Sequence, residues 1–547
     1  MIGPLGWCIV APLLLAAASL LPPMARAARW CALLGSLLTL GVGGMALASF
    51  VSGPGADFRL LETHVWSADS GAAFTFGVDG IGAAMLALSG LVTAIATLAA
   101  FGQQQKPGLY HALVLVLLAA MNGVFTSLDL LLFYVCWEAV LLPMLPLIGL
   151  FGGPQRRYAA LKFFVYTLAG SVLMLAMLLG IWTTTPADGR VVTVTPAVYA
   201  AHGSKLPLTS GRTLHGLPIV EVAPNEPTWQ VRVPRGFDIR HLALQHREIA
   251  STDFLGMSLG VFGFLAVLLA CLVKVPAVPL HTWLPHAHVQ APTAVSVLLA
   301  GVLLKLGVYG LYRIAMPLFP GAFVAHTGIL GALGVLGILW GAWAALGQRD
   351  LKRLVAYSSV SHMGFCVLGA ASLTTAGMTG GMVQAVTHGL SSSMLFLLVG
   401  VVYERAHHRR IDGFGGLMAP MPRFCWLLLF GALAGCGLPG LAGFVGEFAV
   451  LAGAFTGPGS FPWFGALAAL SVVMAAAYSL TMVQKVAFGP LVHEDQRAFP
   501  DVDRHELTTL LPLAALLLLV GIWPAPLVDA LRPACDALLA QLQGVRP

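Results

Sequence analysis

The sequence predicts an all-α, polytopic membrane protein on three observations. Only 10% of its 547 residues are charged, 58% are hydrophobic with a mean hydropathy of +0.86, and the apolar residues gather into long uninterrupted runs. Soluble domains carry about 25% charged residues. A helix needs roughly 20 apolar residues to cross hydrocarbon, and fourteen runs qualify as spans. Their approximate limits are 2–22, 30–50, 78–101, 111–127, 129–150, 158–183, 254–280, 291–316, 323–346, 354–372, 379–403, 424–452, 462–488 and 507–526.

The first run imitates a cleaved signal peptide, with Ala25, Arg26 and Ala27 at its end. No cation precedes its apolar core, however, and Arg26 and Arg29 follow it, so a retained helix with its N-terminus outside is expected. Alternating the fourteen spans from there puts fifteen lysines and arginines on the inner loops. The short outer segments then hold three, Arg59, Arg532 and Arg546. That asymmetry supports both count and orientation, and it accounts for the net charge of +6 without a nucleic-acid partner. The eight cysteines form no C-x-x-C pair, which argues against an iron–sulfur or zinc site. No P-loop and no G-x-G-x-x-G after a strand points to a nucleotide.

Span by span, the informative residues are charges in apolar surroundings. Residues 51–77 form an outer loop without evident chemistry. Span five carries Glu138 in LLFYVCWEAVLLPM, and an intramembrane carboxylate is a functional candidate by default. The basic turn GGPQRRYAALKFF needs no role beyond anchoring topology. Residues 185–253 are polar and proline-rich, with alternating runs VVTVT, PIVEVAP and WQVRV that read as short strands in an outer insert. Contact with a neighbouring subunit is its expected role, an irregular loop the plainer one; His202, His215, His241 and His246 within it show no ligand spacing.

Span seven closes on Lys274, after which Pro276 and Pro279 remove two amide donors and are expected to free the carbonyls of Leu272 and Val275. Lys305 lies too deep in span eight for easy snorkelling, and a lysine there disfavours insertion by about 2.5 to 3.5 kcal/mol. His362 stands in span ten (SSVSHMGF) and His388 in span eleven (VTHGLSSSMLF); each is read either as a packed histidine or as a titrating one. Span twelve, GALAGCGLPGLAGFVGEFAVL, is interrupted at Pro439 and Gly440 and carries Glu447 just beyond. The two broken helices are five spans apart and so run in opposite directions. Two inverted five-helix repeats follow, with segments 1–110, 111–316 (insert included), 317–488 and 489–547 as units. Glu138 is expected to pair with Lys274, Lys305 and the histidines to relay protons through water, and Glu447 to close the far end.

FYVCWEAVLLPM, KVPAVPLHTWLPHAHVQAPT with LLKLGVYG, LVAYSSVSHMGF, HGLSSSMLF and GLPGLAGFVGEF resemble, in order, the antiporter-like membrane subunits of respiratory complex I, NADH:quinone oxidoreductase. The likeness runs from about 79 to 525 outside the insert, and Glu447, where sister types carry lysine, points to the subunit M (mitochondrial subunit 4) branch. It implies that Glu138, Lys274, Lys305 and Glu447 are proton-channel residues with His362 and His388 between them. It also implies a bacterial plasma membrane, L- and N-type neighbours, and no cofactor in this chain, with NADH, FMN, iron–sulfur clusters and quinone in partner subunits. His286 and Gln290 depart from the family's usual charged residue and glutamate, which puts one polar link beside helix seven in doubt, and the insert is longer than usual. Two other readings are a subunit of an Mrp-type or membrane-hydrogenase cation/proton antiporter complex and a non-pumping scaffold.

Overall fold

The computed structural model describes residues 2–67, 70–194, 213–214, 217–222 and 229–545. Asp69, His202, His215 and Arg546 lie outside them. Eleven helices among the described residues are long and apolar enough to cross a membrane. Four shorter apolar helices, Pro4–Leu20, Leu259–Lys274, Pro422–Gly435 and Ala442–Phe455, fall in the runs read as spans one, seven and twelve.

Chain breaks shorten two of those three spans. Span seven stops at Lys274 and resumes as Trp283–Gln290, so it extends past the expected limit of 280. The carbonyls beside the break are not all free, as the prolines suggested. Leu272 O accepts from Ala277 N at 2.9 Å and Val273 O from Trp283 Nε1 at 2.9 Å, because the chain folds back and an indole reaches in where the proline amides are missing. Span twelve breaks between Pro422–Gly435 and Ala442–Phe455, where Gly437 and Gly440 take φ of +74° and +91°. Only glycine enters that region at no steric cost. Span eight, Thr293–Leu318, is buried throughout its apolar stretch and contains π-helical turns at Leu299–Leu303 and Leu311–Ala315, which nothing in the residue pattern announces.

Apolar side chains gain nothing by leaving lipid for one another, so close approach depends on small residues. A Cβ on Gly90 would stand 2.3 Å from Leu40 N and one on Gly43 2.5 Å from Ala87 N, which locks Ala28–Ser52 against Gly80–Ala99.

The segments read as outer meet at one end of the bundle. Leu128 N donates to Thr75 O, Leu130 N to Phe237 O and Trp182 Nε1 to Ser70 O, while Glu62 accepts from the amides of Gly3, Leu5 and Gly6. The segments read as inner meet at the other, where Gly153 N donates to Gln290 O, Arg409 to Val289 O and Leu351 N to Arg409 O. The outer loop 51–77, read as a loop without evident chemistry, holds an antiparallel hairpin of β1 (Arg59–Ser67) and β2 (Ala72–Val78). The three alternating runs of the insert are strands β3 (Arg190–Val194), β5 (Leu217–Val222) and β6 (Trp229–Val233). With β4 (Thr213–Leu214) they form a sheet in the order β3-β6-β5-β4. The chain closes with an amphipathic helix, Ala525–Gln543, not anticipated within 489–547.

Candidate functional site

Four of the six singled-out titratable residues join into one buried series. Lys305 Nζ donates to Ala300 O, a carbonyl of the first π-helical turn, and stands 2.8 Å from His388 Nδ1. Such turns frequently lie at functional positions. The rings of His388 and His362 are 5.4 Å apart at 41°. His362 Nδ1 is 2.9 Å from Glu447 Oε1, and Gln384 Nε2 donates to the same oxygen at 3.3 Å. Lys305, His362, His388 and Glu447 are all buried. With Glu447 as a carboxylate the His362 proton would sit on Nδ1, and with Lys305 as an ammonium the His388 Nδ1 would accept.

Lys274 and Glu138 sit apart from that series. Lys274 ends its helix with Nζ donating to Trp137 O at 2.8 Å and lying 3.8 Å from the Trp137 ring centroid. Thus, in place of the expected pair, the ammonium is held by a carbonyl and an indole face. Glu138, one residue further round the helix, lies beside the Ser171 hydroxyl and interacts with Lys274 through charge alone. It lies on the face of Val135 and Leu142, which are 51% and 68% exposed. The two lysine helices meet closely, since a Cβ on Gly307 would stand 2.6 Å from Cys271 O.

Of the break residues, Pro276 and Pro279 lie in the gap after Lys274, and Pro439 and Gly440 in the gap before Glu447. Gln290 keeps its polar link, because Oε1 accepts from Gln155 N at 2.9 Å, a role an amide fills as well as a carboxylate. The His286 ring packs edge-on against Tyr158 at 5.5 Å.

Residue reading missed several buried polar groups. His288 stacks on Phe396 at 4.4 Å with both ring nitrogens unpartnered. Lys352, one of the fifteen cations counted to the inner loops, is buried and donates to Ala291 O. It lines an inner cavity of about 220 Å³ with Gln290, Tyr403 and Arg409. Asp79 and Arg313 form a buried ion pair at 2.6 Å. The charge of Lys352 and of Arg313 was visible, but each stands near the end of a span, where a solvated cation is the ordinary case. A small void of about 10 Å³, near the size of one water, is lined by Ser358, His362, His388, Ser391, Ser392 and Tyr478, among others. Among the described residues no group of three His, Cys, Asp or Glu side chains could hold a metal ion.

Fold and site together define a mostly helical, multi-pass membrane protein organised around buried acid and base side chains, two of which, Lys274 and Glu447, stand beside helix breaks. The chain belongs to the family described as NADH:quinone oxidoreductase/Mrp antiporter, TM, which matches residues 127–195 and 237–482. The gap between the two matched stretches coincides with most of the insert. It is 36% identical to NADH-quinone oxidoreductase subunit M of Rhodobacter capsulatus, over 95% of this chain and 91% of that protein. It is also 34% identical to F(420)H(2) dehydrogenase subunit M of Methanosarcina mazei, over 98% of each. A chain of respiratory complex I from Thermus thermophilus superposes with a TM-score of 0.79 at 30% identity, covering 98% of this chain and 99% of that one.

Proposed function

We propose that this chain is a proton-translocating membrane subunit of a complex I-type NADH:quinone oxidoreductase, working as a translocase without a redox site of its own. The observation that carries the reading is the buried series Lys305, His388, His362 and Glu447, with contacts of 2.8 Å at one end and 2.9 Å at the other. Lysine and histidine nitrogens exchange protons, and their cations do not coordinate sodium, which takes oxygen ligands. Protons would pass from Glu138 and Lys274 to Lys305 and on through the histidines to Glu447, the void beside the histidines supplying water. Redox energy would arrive from partner subunits holding FMN, iron–sulfur clusters and quinone.

Fourteen passes in a bacterial plasma membrane, a periplasmic N-terminus and two inverted repeats within 111–316 and 317–488 complete the proposal. Glu62 supports that side for the N-terminus, since it ties the first amides to the outer loop. L- and N-type subunits are the proposed neighbours, and Glu138 supports a covering protein on its side, because a carboxylate on a face with exposed Val135 and Leu142 is disfavoured against lipid. Glu447 favours this reading over an Mrp-type antiporter subunit, and the linked series favours it over a scaffold.

Purification of the tagged chain from its native membrane tests the assignment. Co-purification with cofactor-bearing, quinone-reducing subunits is expected. A set of partners without redox centres, together with sodium flux independent of quinone, would overturn it.

A further inference from the structure

We propose that the Asp79–Arg313 ion pair is a gate at the outer end of a branch leading from Lys305, with Tyr309 between them. The inference rests on the proton-translocating reading above. Lys305, Tyr309 and Arg313 follow one another at four-residue spacing and so share one stripe of span eight. Contacts fix that stripe: Arg313 Nε donates to Tyr309 Oη at 3.0 Å, and Tyr309 Oη donates to Phe125 O at 2.9 Å. The guanidinium then meets Asp79 Oδ1 at 2.6 Å, and the same oxygen accepts from Gly82 N at 2.8 Å to cap the third span.

Beyond the pair lies a small cavity of about 70 Å³, bounded by Phe58, Arg240, Ala243 and Gln541 among others. Its walls come from three outer elements. Phe58 precedes β1 and faces Arg313 at 4.8 Å, Arg240 and Ala243 belong to the insert's helix Ile239–Leu244, and Gln541 belongs to the C-terminal helix. That last helix bridges the two partners' own spans. It lies so close to span three that a Cβ on Gly80 would stand 1.7 Å from Ala530 O, and Gln541 Nε2 donates to Pro317 O at 3.0 Å.

An ion pair excluded from water at the mouth of a titratable stripe does two things. Its closed geometry denies water a continuous path to Lys305, and its carboxylate keeps the guanidinium across that path. Loosening the pair toward the cavity would open the path, so the helix Ile239–Leu244 and the C-terminal helix become the gate's frame. Asp79 and Arg313 act here as positioning residues, while Lys305 is the group that exchanges the proton.

The test uses the assembled complex in liposomes, with redox turnover blocked and an entrapped pH dye following an imposed pH gradient. Asp79→Asn keeps the helix cap, since asparagine caps as well as aspartate, and removes the charge. Its passive proton leak is expected to rise roughly tenfold, the effect of losing one charge-assisted bond. Adding Lys305→Ala to Asp79→Asn should restore tightness. An Asp79→Asn complex as tight as the parent, or a double variant as leaky as Asp79→Asn, overturns the gate. If Asp79→Asn fails to assemble, Tyr309→Phe, which removes one of the two acceptors holding Arg313, decides by the same readout with a smaller leak expected. Normal pumping by Lys305→Ala alone would instead overturn the functional reading. A tight Asp79→Asn complex whose Lys305→Ala counterpart no longer pumps overturns the gate alone.

Discussion

His362 and Glu447 meet through Nδ1 and Oε1 at 2.9 Å, joining span ten to the far side of the break in span twelve. Glu447→Gln preserves the shape and the contact while replacing a charged acceptor, whose bond is worth about 1.5–3 kcal/mol, by a neutral one worth about 0.5–1.5 kcal/mol. The complex should assemble normally and pump several-fold fewer protons per electron pair, as read by electrometry in liposomes. Unchanged stoichiometry would place Glu447 outside the path.

Trp137 holds the Lys274 ammonium with its carbonyl and its ring, and its indole Nε1 has no partner of its own. Trp137→Phe therefore loses no hydrogen bond, keeps the carbonyl and weakens the cation–π contact by about 0.5–1 kcal/mol. Assembly should match the parent, and the pumping rate should fall two- to fivefold, roughly what that energy corresponds to.

Gln290 Oε1 holds the amide of Gln155 at the inner turn. Gln290→Glu should be neutral for assembly, whereas Gln290→Leu hands the exposed Gln155 amide to water and costs about 0.5–1.5 kcal/mol. The yield of intact complex on native gels, with Tm as the second readout, separates the two.

Gly446 admits Gln384, for an added Cβ would stand 2.7 Å from Gln384 N and 2.5 Å from its Oε1. Gly446→Ala must push span twelve off span eleven and disturb the Gln384–Glu447 contact, with an overpacking cost of about 1–3 kcal/mol. A lowered Tm together with impaired pumping is the expected outcome.

In the insert, burial alone would raise the Asp238 carboxyl, but the bond to Arg240, with the charges of His241 and Arg240, outweighs it and holds the group below the ordinary carboxylate range. A depressed folded value means this contribution is complete above the unfolded value of about 4 and is lost as pH falls through the folded one. Protection of the amides over 238–244, as the exchange rate relative to the unfolded chain at each pH, should therefore be lost only in acid, and Asp238→Asn should remove that dependence.

The sequence made some of this architecture legible and hid the rest for physical reasons. Apolar runs and loop cations marked the membrane helices because hydrocarbon tolerates few charges, so Lys274, Lys305, Glu138 and Glu447 stood out at once. Period-two alternation revealed three strands of the insert sheet. The hairpin β1–β2 escaped because its alternation is interrupted by register shifts at Arg59/Glu62 and Val65/Ser67. Asp79 and Arg313 escaped because partners 234 positions apart leave no local mark. The π-helical turns of span eight depend on packing, not on any one residue type, and it is there that Lys305 finds Ala300 O. The Glu138–Lys274 relation was legible as proximity of charge, but not as the carbonyl-and-indole seat the lysine occupies.

Electrometric proton translocation by reconstituted Glu138→Gln and Lys274→Ala complexes tests the central claim most directly. Both variants should assemble, reduce quinone and lose most of their proton transfer per electron pair. Full stoichiometry in either assembled variant would contradict the account.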